Sequence, residues 1–302
     1  MTIPKPIANA ATNAPAKGIL CMVIGTMLLT SNDAITKWLL NTLHPGDVMA
    51  WRGLLSLPFI FVILKYEGAT VSNLKSNAPW QSFLRGMLAL ITSVFVILSF
   101  QVLPLADALA LIFVSPLLVT ALSAILLHEP VGWRRWTATI VGFLGSLLIV
   151  GPSFSEIGWW VAAPLMAATT AALRDIATRK LGAIDSGPSI LLWTMLIATA
   201  GGFASLPMLG ATPVSTESWV LLLAAGAMLA LSNRLTIAAF KLASGAVVAP
   251  LKYLSLIWAA GIGYIVWGET PELQKVIGAA IVAAAGLYIW RREIIKQRGI
   301  RP

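Results

Sequence analysis

The sequence predicts an all-α integral membrane protein: ten transmembrane helices arranged as two inverted five-helix repeats around a central cavity. Three observations carry that prediction. Hydrophobic residues make up 58% of the chain and charged residues 11%, with a mean hydropathy of +0.85, far from the balance of a soluble domain. Apolar windows recur along the whole length, each able to cross a hydrocarbon core of about 30 Å at about 1.5 Å per residue. A polar motif from the first half returns in the second.

The windows run from 17 to 39, 46 to 65, 79 to 101, 104 to 127, 133 to 150, 158 to 180, 187 to 208, 216 to 240, 244 to 267 and 273 to 290. Turn-forming clusters separate them, among them His44-Pro45-Gly46, Gly151-Pro152-Ser153, Gly187-Pro188 and the segment around Pro213; all are poor helix interiors. Residues 1–16 are polar, with Pro4, Pro6 and Pro15, and read as a disordered cytoplasmic leader. The small residues Ala8 to Ala11 precede the apolar run, badly placed for signal cleavage, so the first span is expected to be retained. The domain order is then the leader, a first repeat over 17–150, a second over 151–290 and a basic tail over 291–302. Cys21 is the one cysteine, which excludes an internal disulfide and a thiolate metal cluster.

The net charge of +9 does not indicate nucleic acid, because its placement follows the spans. Lys5, Lys17, Lys65, Lys75, Arg134, Arg135, Arg179, Lys180, Lys241, Arg291, Arg292, Lys296, Arg298 and Arg301 fall at alternate connections and their edges, while the other five connections hold no Lys or Arg. That asymmetry puts both termini in the cytoplasm. The tail from Arg291 to Arg301 anchors the last helix against anionic headgroups.

Repetition decides the architecture. "NDAITK" at Asn32–Lys37 matches "RDIATR" at Arg174–Arg179, and Trp51 matches Trp193, both 142 residues apart. "LHEPVGW" at Leu127–Trp133 matches "WGETPEL" at Trp267–Leu273 at an interval of 140. Five crossings per half is odd, so the second half is inverted relative to the first, as in transporters that alternate access to a central site.

The stretches "PLADALALIFVSPLLVTALSAILLHEPVGWRRW" (Pro104–Trp136) and "ASGAVVAPLKYLSLIWAAGIGYIVWGETPE" (Ala243–Glu272) resemble the paired signature helices of the drug/metabolite transporter superfamily, EamA-type. The likeness covers 17–290. It implies ten helices, a central substrate cavity and a bacterial inner-membrane location. "SNDAITKWL", "LRGMLAL" and "APLKYL" resemble most the branch containing S-adenosylmethionine uptake carriers, while amino-acid exporters and riboflavin carriers share the general pattern. Many such relatives carry an acid where this chain has Ser255, so no cation-linked role passes to that position.

Charges inside the spans are the candidate functional groups, since each is costly in lipid unless partnered or wet. Asp33 lies about 24 Å from the cytoplasmic start of the first span, and Arg52 about 9 Å into the second from outside. The two are expected to pair, with Lys37, one turn beyond Asp33 on the same face, as the other candidate partner. Asp175 mirrors this near the cytoplasmic third, within reach of Arg174, Arg179, Arg85 and Arg234. Asp33, Lys37 and Arg52 on one side and Arg174, Asp175 and Arg234 on the other are thus candidate gating pairs. Structural salt bridges, or snorkelling of the long basic chains, are the alternative reading.

The fourth and ninth spans are expected to line the middle. Pro116, after Ser115, and Pro250 each remove a backbone donor and kink their helices. Lys252 stands about 12 Å above the cytoplasmic end of the ninth span, too deep for easy snorkelling. Ser115, Phe113, Tyr253, Trp258, Trp51 and Trp193 join it as candidate substrate contacts, although membrane aromatics also simply pack. Gly142 and Ser146, with Ala279 and Ala283, recur at four-residue spacing on the fifth and tenth spans, which suits close packing or a homodimer seam.

No Walker sequence is present, so hydrolysis of ATP by this chain is excluded. His44 and His128 fall in loops on opposite sides, giving no metal or nucleophile constellation, and no cofactor is called for. The expected function is secondary active transport of a small carboxylate-bearing metabolite, an amino acid or derivative, with proton or counter-substrate coupling left open. Uptake of S-adenosylmethionine or riboflavin, export of hydrophobic or cationic drugs, and a polytopic membrane enzyme are the alternatives. A channel would call for a continuous polar stripe, and the polar residues here are sparse and grouped.

Overall fold

The computed structural model describes residues 15–66, 68, 74–126, 133–150, 160, 162–181, 184–209, 212–242, 249–270 and 272–297. The leader to residue 14, His128, Glu129, Arg298 and Arg301 lie outside the described residues. The described elements are α1 (Pro15–Leu39), α2 (Pro45–Tyr66), α3 (Pro79–Val102), α4 (Leu105–Ile112), α5 (Ser115–Leu126), α6 (Trp133–Val150), α7 (Ala162–Leu181), α8 (Gly187–Leu209), α9 (Thr216–Leu242), a 3₁₀ segment (Ala249–Tyr253), α10 (Leu254–Trp267) and α11 (Leu273–Gln297). Strands are absent among the described residues.

Ten spans result, because the fourth and ninth are each made of two pieces. In the fourth, Pro116 has no N–H to give the carbonyl of Ile112, and the chain turns at Phe113–Val114 before α5 begins at Ser115. In the ninth, the turn from Ala249 to Tyr253 is 3₁₀, and the α-helix starts only at Leu254. Proline also opens helices where its missing donor costs nothing: Pro45 starts α2 and Pro79 starts α3.

Ala16–Leu39, Pro45–Tyr66, Pro79–Val102, Gly187–Pro207 and Thr216–Ala239 are each long and apolar enough to cross a membrane, and four shorter apolar segments accompany them. Helix α7 has 20 residues but ends in Arg174, Asp175, Arg179 and Lys180, which lower its hydropathy.

Packing follows the repeat. Helix α1 packs on α9 and α10, as α7 packs on α3 and α5; α2 pairs with α8, α6 with α11 and α4 with α10. When the halves are exchanged, α1–α9 maps onto α7–α3, α1–α10 onto α7–α5, and α2–α8 and α6–α11 each onto itself. Small residues set the closest approaches. A Cβ at Gly202 on α8 would meet the Ala50 backbone nitrogen of α2 at 2.5 Å, and one at Gly278 on α11 would meet the Gly145 carbonyl of α6 at 2.7 Å. The α6–α11 seam is thus an internal helix contact, and Gly145 and Gly278 sit at its tightest point.

Two buried carboxylates tie the α2–α8 pair to neighbouring connections. Asp47, fully buried at the start of α2, accepts the Thr212 N–H at 3.0 Å. Asp185, 5% exposed just before α8, accepts the Asn77 N–H at 2.6 Å and the Ser82 hydroxyl at 2.9 Å, and also the Ser76 hydroxyl. These bonds hold the connection before α3 against the one before α8, at a helix start whose N-cap residue, Ala78, has no side chain able to accept.

Candidate functional site

Ten crossings put the start of α1 and the end of α11 on one face, called here the terminal face; the other is the distal face. The charged groups separate into a cluster at each.

At the distal face, the amide of Asn32 donates to Asp33 at 3.0 Å. The Arg52 guanidinium donates to Thr36 Oγ1 at 2.8 Å and to Asn32 Oδ1 at 3.4 Å. Asp33 and Arg52 are therefore linked through Asn32 instead of by a direct ion pair, the arginine's reach being taken up by the next turn of α1. Lys37 likewise turns away from Asp33. Its Nζ meets Glu269 Oε1 at 2.6 Å and the Leu103 carbonyl at 2.9 Å, and lies 4.9 Å from the centre of the Trp267 ring. One turn above Asp33 the lysine stands at the helix end, where these groups converge.

Glu269 is held there by the backbone. Gly268 takes a left-handed conformation (φ 68°) that ends α10 and folds the chain back over Gly263. The second oxygen of Glu269 accepts the Leu105 N–H at 3.1 Å, at the start of α4. Beside it, Lys275 of α11 meets Asp107 of α4 at 3.1 Å and Glu272 at 3.6 Å. Glu269, Asp107 and Lys275 were not singled out from sequence. The signal that marks Glu269 is its place in the repeated "HEP"/"GETP" pattern.

At the terminal face, Arg174 pairs with its neighbour Asp175 at 2.8 Å. Arg85 of α3 donates from Nε to Thr178 Oγ1 at 2.8 Å, and from NH1 to Thr194. Thr36 and Thr178 are 142 residues apart. Each is reached by an arginine, from α2 in one case and α3 in the other, so the two clusters correspond without being copies.

Their exposure differs. The Lys37 and Glu269 side chains are 13% and 21% exposed, and Asp107 and Lys275 10% and 15%, whereas Asp175 is 49% exposed. Lys252 and Arg234 are also exposed. Asp175 stands about 9 Å inside the end of α7, and a carboxylate at that depth is stable facing water, not hydrocarbon. Among the described residues, Asp175 and Arg174 lie near enough to act electrostatically on Lys252.

The other predicted contacts fall in three places. Phe113 and Tyr253, at the breaks of the fourth and ninth spans, meet in a tilted ring pair at 5.3 Å between centroids; Ser115 is buried at the start of α5. Trp258 of α10 donates from Nε1 to Thr26 of α1 at 3.3 Å. Trp51 packs against Phe203 at 5.2 Å and Trp219 at 5.0 Å, a distal aromatic cluster away from Lys252. Trp193 is half-buried on α8, and Pro250 lies in the 3₁₀ segment.

The fold and its clusters are those of a polytopic helical membrane transporter. Comparison with known proteins specifies the family: the EamA-like transporter family matches residues 16–151 and again 157–291, and the chain belongs to it. It is similar to a riboflavin transporter of Rhizobium johnstonii, 27% identical over 93% of both chains. It is also similar to an S-adenosylmethionine uptake transporter of Rickettsia prowazekii, 26% identical over 93% of this chain and 95% of that one. A pseudopaline exporter of Pseudomonas aeruginosa is 26% identical over 91% and 96%. One crystal structure superposes with a TM-score of 0.64 at 16% identity, covering 92% of this chain and 98% of the other, which shows the shared fold. The chain is therefore a transporter and a multi-pass membrane protein; its relatives are named as transporters, not enzymes.

Proposed function

We propose that this transporter moves a small carboxylate-bearing metabolite, an amino acid or derivative, across the bacterial inner membrane by secondary active transport with alternating access. The observation that carries the mechanism is the unequal exposure of matched clusters. Asp33 and Asp175 occupy the same place in the two repeats, yet the distal cluster is covered and Asp175 is half open. Two inverted repeats in different conformations close one mouth while opening the other. The structure is then the state open at the terminal face, which the positive-inside pattern makes cytoplasmic. In this reading Asp33, Lys37 and Arg52 belong to the outer closure, and Arg174, Asp175 and Arg234 to the inner one.

The substrate class rests on Lys252. Lys252 is an exposed residue within the 3₁₀ segment that breaks the ninth span, next in sequence to Tyr253 of the Phe113–Tyr253 ring pair. A cation held at that depth costs about 2.5–3.5 kcal/mol unless it faces water or an anion. A substrate carboxylate supplies that anion during transport, and the aromatic pair supplies an apolar wall. The relatives' named cargoes differ at nearly equal identity, so overall similarity does not choose among them.

A thermal-shift panel on purified protein tests the class, using amino acids, S-adenosylmethionine, riboflavin and cationic drugs, since a ligand of the folded state raises its melting temperature. A carboxylate-bearing compound is expected to stabilise wild type and to lose that effect in Lys252→Met. Stabilisation by cationic drugs alone would count against the proposal.

A further inference from the structure

We infer that Glu269 is the latch of the outer mouth, with Lys37 as its catch. The inference rests on the alternating-access reading and adds the residue that holds one of its states. A single carboxylate joins three elements at the distal face. One oxygen takes Lys37 of α1 at 2.6 Å, the other takes the Leu105 N–H at the start of α4 at 3.1 Å, and the chain that carries it links α10 to α11. Lys37 extends the tie by donating to the Leu103 carbonyl at 2.9 Å, at the α3–α4 junction. The ends of α1, α3, α4 and α10 cannot separate while these bonds hold.

Both partners are mostly covered, so the pair works with little competition from water and in a fixed geometry. The Trp267 ring shields the ammonium group from one side. Gly268 fixes the direction of Glu269 through a backbone conformation that other residues rarely adopt. The neighbouring Asp107–Lys275 pair links α4 to α11 alone. It leaves α1 free to move, which makes Glu269 the group that closes the mouth against the first helix.

The test uses two reporters in a Cys21→Ala background. Thr30 is buried on α1, seven residues below Lys37 and so about 10 Å deeper; Thr30→Cys reports opening from outside. Ala177→Cys reports opening from the cytoplasmic side in inside-out vesicles. The reagent is an impermeant maleimide. Glu269→Gln and Lys37→Met are each expected to raise Thr30→Cys labelling about fivefold or more, the lower end of ordinary coupling between sites. Glu269→Asp and Lys37→Arg are expected to stay near the unmodified rate. A matching fall at Ala177→Cys supports alternating access as well. Raised labelling at Thr30→Cys with no change at Ala177→Cys keeps the latch and removes the alternation beneath it. Unchanged labelling at Thr30→Cys in either charge-removing variant overturns the latch; the two variants probe the same bond from opposite sides, so one that accumulates is sufficient.

Discussion

Phe113 and Tyr253 pack with their ring centroids 5.3 Å apart and their planes tilted by 36°, and they are 140 residues apart in the chain, the interval that relates "LHEPVGW" to "WGETPEL". Matched residues of inverted repeats touch only near the pseudo-twofold axis. These two mark where it crosses the broken fourth and ninth spans. The Tyr253 hydroxyl points away from this contact and toward α11, where a Cβ at Gly286 would meet it at 1.6 Å.

That hydroxyl is buried with no hydrogen-bond partner among the described residues. Tyr253→Phe is therefore expected to keep the ring contact with Phe113 and leave stability unchanged or higher by about 1 kcal/mol, since an unmet polar group is removed. Gly286→Ala is expected to lower the melting temperature, and Tyr253→Phe to recover part of that loss in the double variant. Thermal unfolding in detergent measures this; strictly additive effects would mean that the two positions do not meet.

Close approach at α2–α8 makes a second comparison. A Cβ at Gly202 meets the backbone of Ala50, which cannot move aside cheaply, while one at Gly261 on α10 meets nothing within 4 Å. Gly202→Ala is expected to destabilise by about 1–3 kcal/mol, as overpacking does. Gly261→Ala should be neutral or stabilising by about 0.5–1 kcal/mol. Equal losses at both sites would contradict the packing described.

Asp185 gives a pH dependence. Burial pushes its carboxyl up, but the hydrogen bonds from Ser76, the Asn77 N–H and Ser82 outweigh this and hold it below the usual carboxylate range. A depressed folded value means that the contribution is complete above the unfolded pKa of about 3.9 and fades as pH falls through the folded one. The expected difference between wild type and Asp185→Asn is about 1–2 kcal/mol at neutral pH, moderate because the loop lies near water. It should shrink below about pH 4. A difference that grows on acidification would refute the sign.

The spans were legible because hydropathy over twenty residues is a long, redundant signal, and because Pro116 has only one way to disturb its helix. The inverted packing was legible from three matches in one order, Asn32–Lys37 with Arg174–Arg179, Trp51 with Trp193 and Leu127–Trp133 with Trp267–Leu273, together with the odd number of spans per half. Partners were harder. Lys37 was read one turn back to Asp33, a neighbour in sequence, whereas its partner Glu269 is 232 residues away and sits just past a span in a Gly-Glu-Thr-Pro turn. Arg52 was directed at Asp33, but its guanidinium donates to Thr36 and to Asn32, and only Asn32 also reaches Asp33. Asp185, followed by Ser-Gly-Pro, reads as a solvated loop; nothing local reveals that residues 76–82 fold over it.

The orientation can be checked independently of any substrate. Cysteines replacing exposed Thr216 and exposed Lys75, in a Cys21→Ala background, should react with an impermeant thiol reagent in intact cells only at the first position. The reverse pattern would exchange inner and outer throughout.

The most direct measurement is counterflow in proteoliposomes, with labelled amino acids and S-adenosylmethionine as probes. Wild type is expected to exchange at least one carboxylate-bearing probe and to reject its carboxamide analogue, which lacks only the carboxylate's negative charge. Lys252→Met should abolish that exchange while remaining monodisperse, and Lys252→Arg should keep part of it. Exchange of acid and amide at equal rates, or full exchange by Lys252→Met, would contradict the account.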